Sequence, residues 1–199
     1  SGAWATLRDR LADGLGVLEE RQDLILSGAR SPYYVQFAME ADALLSGIVM
    51  DTKNFTMRTG ERTFDAAAFL NRAGADTISV KTILQNDLDD TVSRYKILQQ
   101  VKRYREHIAI AVIEEPQDRI VAAQAADEML NIIGIQASIV IYPTGNGDVI
   151  ISARSIGEIN VQVLLEELGG GGNKSAAGVQ MENITLRDAV GRLFTAIDN

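Results

Sequence analysis

The segment ISARS carries residue types that suit phosphate binding. Ser152, Arg154 and Ser155 fall near the end of an expected strand at 149–155. Because side chains alternate along a strand, Ser152 and Arg154 share one face. The arginine fork matches phosphate oxygens, and the hydroxyl groups add further donors. By itself the segment also fits a surface arginine on a half-exposed strand.

Four consecutive glycines, Gly169 to Gly172, form the second candidate segment. They do not make a P-loop, because Gly169 is only five positions before Lys174. Glycine backbone can turn tightly or approach a ligand closely, and its exposed N–H groups can form an anion-binding nest. A flexible linker between a helix and a strand is the alternative. A neighbouring strand end bearing Arg154 favours the nest.

Asp51 is the candidate metal ligand. It follows the apolar residues Ile48, Val49 and Met50, a pattern that predicts a buried strand ending at an acid. A carboxylate in that position can bind manganese or magnesium through oxygen, or can simply cap the next turn. The chain has no cysteine and a single histidine, His107, so that any metal site must consist mainly of oxygen ligands.

The pattern of apolar residues predicts an α/β protein with two parts. Residues 1–106 are expected to be mainly helical, with helices at 4–27, 36–47, 64–73, 76–85 and 88–106. Residues 107–199 alternate expected strands at 108–114, 137–143, 149–155 and 177–181 with helices at 117–134, 158–168 and 185–197. This second part is therefore predicted to be a small α/β domain with a mixed sheet.

Composition restricts the classes of partner. A hydrophobic content of 46% supports a folded core, and a net charge of −8 disfavours binding to duplex nucleic acid. The sequence has no apolar run near 18 residues and no signal-peptide pattern, so we expect a soluble, cytoplasmic chain without membrane contact. It begins with Ser1 and Gly2 instead of methionine, which suggests that the natural protein is longer.

Three segments in this order resemble one family: GIVMDTKNF within 41–76, SARS at 152–155 and LGGGGNKSAAG at 168–178. The chain is similar over about 40–198 to the DHH phosphoesterases with a DHH-associated substrate domain, of the cyclic-di-AMP phosphodiesterase type. The resemblance implies a partial DHH domain at 1–106, with 1–40 unmatched, and a nucleotide-binding domain at 107–199. It also implies a second-messenger hydrolase that converts cyclic-di-AMP to linear pApA with two manganese ions.

The resemblance assigns roles to particular residues. Asp51 matches an acid of a metal motif. The substrate-binding positions are implied to be Ser152, Arg154, Ser155, Gly170, Gly171, Gly172 and Asn173. Asn173 stands where the family has histidine, and an amide cannot exchange a proton near neutral pH.

The upstream metal motifs of the family, including the Asp-His-His that names it, are not found in 1–40. The catalytic residues are therefore unknown, and we expect the isolated chain to be inactive. The alternatives are a non-catalytic module that binds a dinucleotide and a short-oligonucleotide phosphodiesterase of the same superfamily. The expected partner is cyclic-di-AMP or a linear dinucleotide. A membrane anchor in the parent protein and a homodimer both stay open.

Overall fold

The structure, a computed structural model, describes residues 32–198, and side-chain environments from Gln36 onward. The helix expected at 4–27 lies outside the described residues. Contacts divide the chain into two compact units, one ending at Gln85 and one spanning Asn86–Asn199. The domain boundary expected at residues 106 and 107 stays a prediction.

The first unit consists of helices in its described part. These are α1 (Pro32–Asp51), α2 (Glu61–Arg72) and α3 (Thr77–Ile83). Proline suits the first position of α1, because the N–H that it lacks would have no partner within the helix. Asp76 caps α3 by accepting hydrogen bonds from Ile78 N and Ser79 N. The small core joins Ala41, Leu45, Leu70, Ala73, Ala75 and Val80.

The strand predicted over residues 48–50 is wrong, because α1 continues through them to Asp51. Ile48 lies three positions after Leu45 and seven after Ala41, which places it on the buried stripe of the helix. Ile48 and Val49 pack against the first unit's core, whereas Met50 is exposed. A run of only three apolar residues fits a helix and a strand equally well, and the packing decides between them.

The second unit is built on a six-stranded mixed sheet. Its strands are β1 (Val101–Tyr104), β2 (Ile108–Val112), β3 (Ala137–Pro143), β4 (Val149–Ser155), β5 (Gly171–Asn173) and β6 (Ala176–Met181). The order is β1-β2-β3-β4-β6-β5, with β2 and β3 parallel and every other neighbouring pair antiparallel. This arrangement confirms the predicted α/β class and the mixed sheet.

Helices cover both faces of this sheet. They are α4 (Leu88–Gln99), α5 (Arg119–Met129), α6 (Val161–Glu166) and α7 (Leu186–Asp198). On one face, Val140 and Tyr142 of β3 share a buried cluster with Ile97 of α4 and residues of α5. On the other face, Ile139 of β3 clusters with buried residues of α6 and α7. Because β3 is covered on both sides, its sequence is an almost continuous apolar run.

Two short strands lie where the sequence predicted a helix and a loop. The helix expected over 88–106 ends at Gln99, and Val101–Tyr104 pair with β2 instead. Val101 and Tyr104 pack against the sheet's buried clusters, so pairing with β2 outweighs the helical pattern that continued into this segment. The expected loop at the glycines contains strand β5.

Candidate nucleotide-binding site

A pocket of about 330 Å³ lies within the second unit. Residues of α5, β3, β4, β5 and β6 line it. Its volume is at the lower end of the range for small-molecule sites, about 300–1,000 Å³. Its lining includes Arg119, Tyr142, Ser152, Arg154, Gly171 and Gly178.

The register of the sheet brings several lining residues of this pocket onto one face. Ser152 lies opposite Gly178 across β4 and β6, and Gly178 lies opposite Gly171 across β6 and β5. Arg154 lies opposite Ala176. Cross-strand partners share a face, so these five residues form one surface on the side of the sheet that α5 covers. Glycine and alanine leave the backbone there accessible to a ligand.

Arg154 is held in a fixed orientation within the pocket. Its Nη1 donates to Ser152 Oγ at 3.3 Å and to Ala153 O at 2.9 Å. Its Nε lies 3.5 Å from Asp127 Oδ1 on α5, and only 20% of the arginine side chain is exposed. The structure thus brings Ser152 and Arg154 together, as the alternation of the strand predicted. It also shows that several donors of Arg154 are already used within the fold.

Ser155 does not face the pocket. It belongs to the opposite face of β4, is 2% exposed, and donates from Oγ to Lys174 O at 2.9 Å. Its backbone N–H donates to Ser175 O, also at 2.9 Å. Lys174 O accepts a second bond from Val161 N at 3.1 Å. Ser155 therefore fixes the turn that follows the glycines.

The last two glycines of the run belong to the edge strand β5, and the members of the run have different roles. A Cβ at Gly170 would lie 2.5 Å from Gly178 O and 2.6 Å from Val179 Cβ. A Cβ at Gly172, where φ is +150°, would overlap Ala176 O and lie 2.5 Å from Ala177 Cα. Gly171 has open space around it and lines the pocket. Close packing thus requires glycine at 170 and 172, and regular pairing with β6 contradicts the flexible linker.

Asn173 ends this strand and shapes the two-residue turn that follows. Its Oδ1 accepts three hydrogen bonds of 3.0 Å, from Ser175 N, Ser175 Oγ and Ala176 N. This is the Asx arrangement that favours asparagine in turns. Asn173 is exposed and does not line the pocket, since its side-chain oxygen is committed to the turn.

Two pocket residues were missed at the sequence level. Arg119 is the first residue of α5 and is exposed. Tyr142 is 1% exposed, and burial raises the pKa of its hydroxyl. The negative charge of Asp118 also raises this pKa, whereas the positive charge of Arg119 lowers it. The sequence shows Tyr142 only as part of an apolar strand. The aspartate before Arg119 marks a helix start, but nothing in the sequence shows that this helix and the glycine strand line one pocket.

Asp51 lies apart from any cluster of metal-binding side chains. It ends α1, its side chain is 72% exposed, and Oδ1 lies 3.5 Å from Arg58 Nη1. Across the described residues, 32–198, no group of three or more His, Cys, Asp or Glu is placed to hold a metal ion. The described residues therefore do not form a manganese centre by themselves.

The turn after Asp51 has an unusual backbone. Lys53, Asn54 and Phe55 have φ values of 49°, 58° and 62°, a left-handed conformation that is uncommon outside glycine. Thr52 holds the turn by donating from Oγ1 to Ile48 O at 2.7 Å and accepting from Phe55 N at 3.0 Å. Strain of this kind is common at functional sites, so a functional role for this turn stays a prediction.

Comparison with known proteins identifies the class of this chain. Residues 105–199 match the family described as DHHA1 domain. The chain belongs to the DHH phosphoesterases that carry this domain, as its motifs implied. A solved exopolyphosphatase-related protein from Bacteroides fragilis has the same fold, with a TM-score of 0.72, 20% identity, and coverage of 84% of this chain and 52% of that one.

The proteins similar to this chain include cyclic-di-AMP phosphodiesterases. PdeA of Listeria monocytogenes serotype 1/2a (strain 10403S) is 49% identical over 162 residues, covering 80% of this chain and 25% of PdeA. GdpP of Geobacillus thermodenitrificans (strain NG80-2) is 46% identical over 169 residues, covering 83% of this chain and 26% of GdpP. The chain thus spans about a quarter of the length of these relatives. None of its described helices has the length and apolarity needed to cross a membrane.

Proposed function

We propose that the second unit binds a phosphate of an adenine dinucleotide in the pocket beside Arg154. We further propose that the chain is part of a phosphodiesterase that hydrolyses cyclic-di-AMP to linear pApA. The observation that supports this most directly is a fixed arginine beside a floor of glycine and alanine. The names of PdeA and GdpP supply the choice of cyclic-di-AMP.

The geometry gives a physical basis for phosphate binding at this position. Holding Arg154 through Ser152, Ala153 and Asp127 removes most of the side-chain entropy that a ligand would otherwise have to restrict. The open space at Gly171 and the lack of a side chain at Gly178 let an anionic group approach the sheet closely. The partial burial of Arg154 strengthens its interaction with a phosphate.

Hydrolysis is proposed for a longer protein of this family and not for this chain alone. Manganese belongs to the same proposal: Asp51 would supply one carboxylate, and the other ligands would come from outside the described residues. We expect the 199-residue chain to bind without hydrolysing. Asn173 cannot transfer a proton near neutral pH, and its side-chain oxygen is held in the turn.

Titration calorimetry of the 199-residue chain with cyclic-di-AMP and with pApA tests the proposal. The change Arg154→Gln should weaken binding by about tenfold or more, because hydrogen bonds to charged groups contribute about 1.5–3 kcal/mol. The matched control is Arg192→Gln, which removes an exposed arginine of α7 outside the pocket. Circular dichroism checks that both proteins are folded. Equal affinities for wild type and Arg154→Gln would contradict nucleotide binding in this pocket.

The expectation of binding without turnover has its own assay. Incubation of the chain with cyclic-di-AMP and excess manganese should leave the nucleotide intact, as followed by chromatographic separation of pApA. Sustained formation of pApA in proportion to the amount of chain would contradict it.

A further inference from the structure

The hydroxyl of Tyr142 is an exception among buried polar groups. Tyr142 is 1% exposed, and within residues 36–198 its hydroxyl finds no hydrogen-bond partner. Buried polar atoms in folded proteins nearly always have a partner, and leaving one without costs free energy. Tyr142 also lines the pocket. A bound ligand is therefore a natural source of the missing hydrogen bond.

Arg119 lines the same pocket from the first turn of α5. It is exposed, and no ion pair or hydrogen bond holds its guanidinium in the part of the chain that the structure describes. Arg119 and Tyr142 thus line one pocket, and the positive charge of Arg119 lowers the pKa of the Tyr142 hydroxyl whereas Asp118 raises it. The Asp118 carboxylate is already committed to the helix cap, where it accepts from Ile120 N at 2.7 Å and Val121 N at 3.1 Å.

The two arginines of the pocket thus differ in their freedom to bind. Arg154 donates to Ser152 and Ala153 and faces Asp127, so part of its charge is balanced before any ligand arrives. Arg119 keeps its donors available. A guanidinium donates and cannot accept, and a neutral phenol beside it can donate as well, so together they select a group that carries acceptor oxygens.

We propose that the Arg119 guanidinium and the Tyr142 hydroxyl form a second phosphate-binding subsite at the α5 end of the pocket. It would hold the second phosphate of the dinucleotide whose first phosphate lies beside Arg154. This inference rests on the proposed function and deepens it. Two cationic positions in one pocket suit a ligand with two phosphates, such as cyclic-di-AMP or pApA.

The test uses the 199-residue chain and calorimetric titration with cyclic-di-AMP. Arg119→Gln should weaken binding by about tenfold, and Tyr142→Phe by roughly threefold to tenfold. The double variant should lose less than the product of the two factors, because both side chains hold the same group. The matched controls are Arg192→Gln and Tyr95→Phe, exposed residues outside the pocket that should leave affinity unchanged.

A second measurement separates ligand binding from a structural role for Tyr142. Without nucleotide, Tyr142→Phe should unfold at the same temperature as wild type or higher, since its hydroxyl bonds nothing within the described fold. A clear drop in the unfolding temperature would mean that the hydroxyl is bonded in the free protein and would overturn the assignment.

The results also distinguish the two proposals. If Arg154→Gln weakens binding and Arg119→Gln does not, the subsite is wrong and the proposed function stands. Both proposals are supported if both arginine variants weaken binding and the double variant Arg119→Gln/Tyr142→Phe loses less affinity than the product of the two single factors. If wild type binds neither cyclic-di-AMP nor pApA, both fail.

Discussion

The turn after α1 and the hairpin of β5 and β6 are both short polar segments with a constrained backbone, but they are built in opposite ways. In the turn, Lys53, Asn54 and Phe55 adopt positive φ although each carries a side chain. In the hairpin, from 171 to 181, the one positive φ is at Gly172, which fits only because it has no Cβ. The turn thus accommodates side chains at its left-handed positions, whereas the hairpin needs a residue without a side chain at 172.

The two segments also differ in how far along the sequence their hydrogen bonds reach. Thr52 bonds Ile48 and Phe55, which are four and three residues away. The hairpin turn has local bonds as well, from Ser175 and Ala176 to Asn173 Oδ1. It also has distant ones, because Ser155 bonds the carbonyl groups of Lys174 and Ser175. The bonds from Ser155 tie the hairpin to the neighbouring strand β4, so that its stability depends more on the intact sheet than that of the turn after α1.

The largest effect is expected at Gly172. An alanine there would overlap Ala176 O and adopt a strained φ, so Gly172→Ala should lower the free energy of unfolding by about 3 kcal/mol or more. The matched control is Gly171→Ala, where the added methyl meets open space and the change should stay within about 0.5 kcal/mol. Urea denaturation gives both values. Similar midpoints for the two variants would show that the hairpin does not require glycine at 172.

A smaller effect is expected at Thr52, which is 4% exposed. Thr52→Val keeps the shape but leaves Phe55 N without its acceptor, which should cost about 1–3 kcal/mol. Thr56→Val is the control. Thr56 is exposed, so that the loss of its hydroxyl should lower the free energy of unfolding by no more than about 0.5 kcal/mol. Equal costs by urea denaturation would mean that burial of the Thr52 hydroxyl does not matter to the turn.

The smallest effect is the loss of stability at low pH that comes from Asp76, the cap of α3. Hydrogen bonds from Ile78 N, and then Ser79 N, hold the pKa of Asp76 below its ordinary value of 3.8. A lowered pKa in the folded state means that the stabilisation is complete above 3.8 and is lost as the pH falls through the folded value. Asp76→Asn keeps a cap without a titrating group, so its unfolding midpoint should fall less than that of wild type between pH 6 and pH 3. Parallel pH profiles would contradict this account.

The sequence predicted most of the second unit because its long strands have clear patterns of apolar residues. The continuous apolar run at 137–143 and the strand at 149–155 were both found where expected. The run at 48–50 was misassigned because three apolar residues fit two periods, and only the packing of α1 decides. Strand β1 was missed because its pairing with β2 is a tertiary effect.

The candidate site was predictable only in part, since a motif shows residue types but not the direction of each side chain. Alternation placed Ser152 and Arg154 on one face correctly, and the same rule puts Ser155 on the other face, where it binds the hairpin turn. The roles of Arg119 and Tyr142 depend on how α5 lies on the sheet. Contacts between residues distant in sequence are not visible in local spacing.

The ends of the sheet have a consequence for the behaviour of this chain in concentrated solution. Strand β5, at one edge, contains three residues, and β1, at the other, contains four, of which Lys102 and Arg103 are exposed. A short edge offers few free N–H and C=O groups to an approaching strand, and charges on an edge repel a second copy. The sheet therefore ends in a manner that protects the protein against aggregation through strand addition.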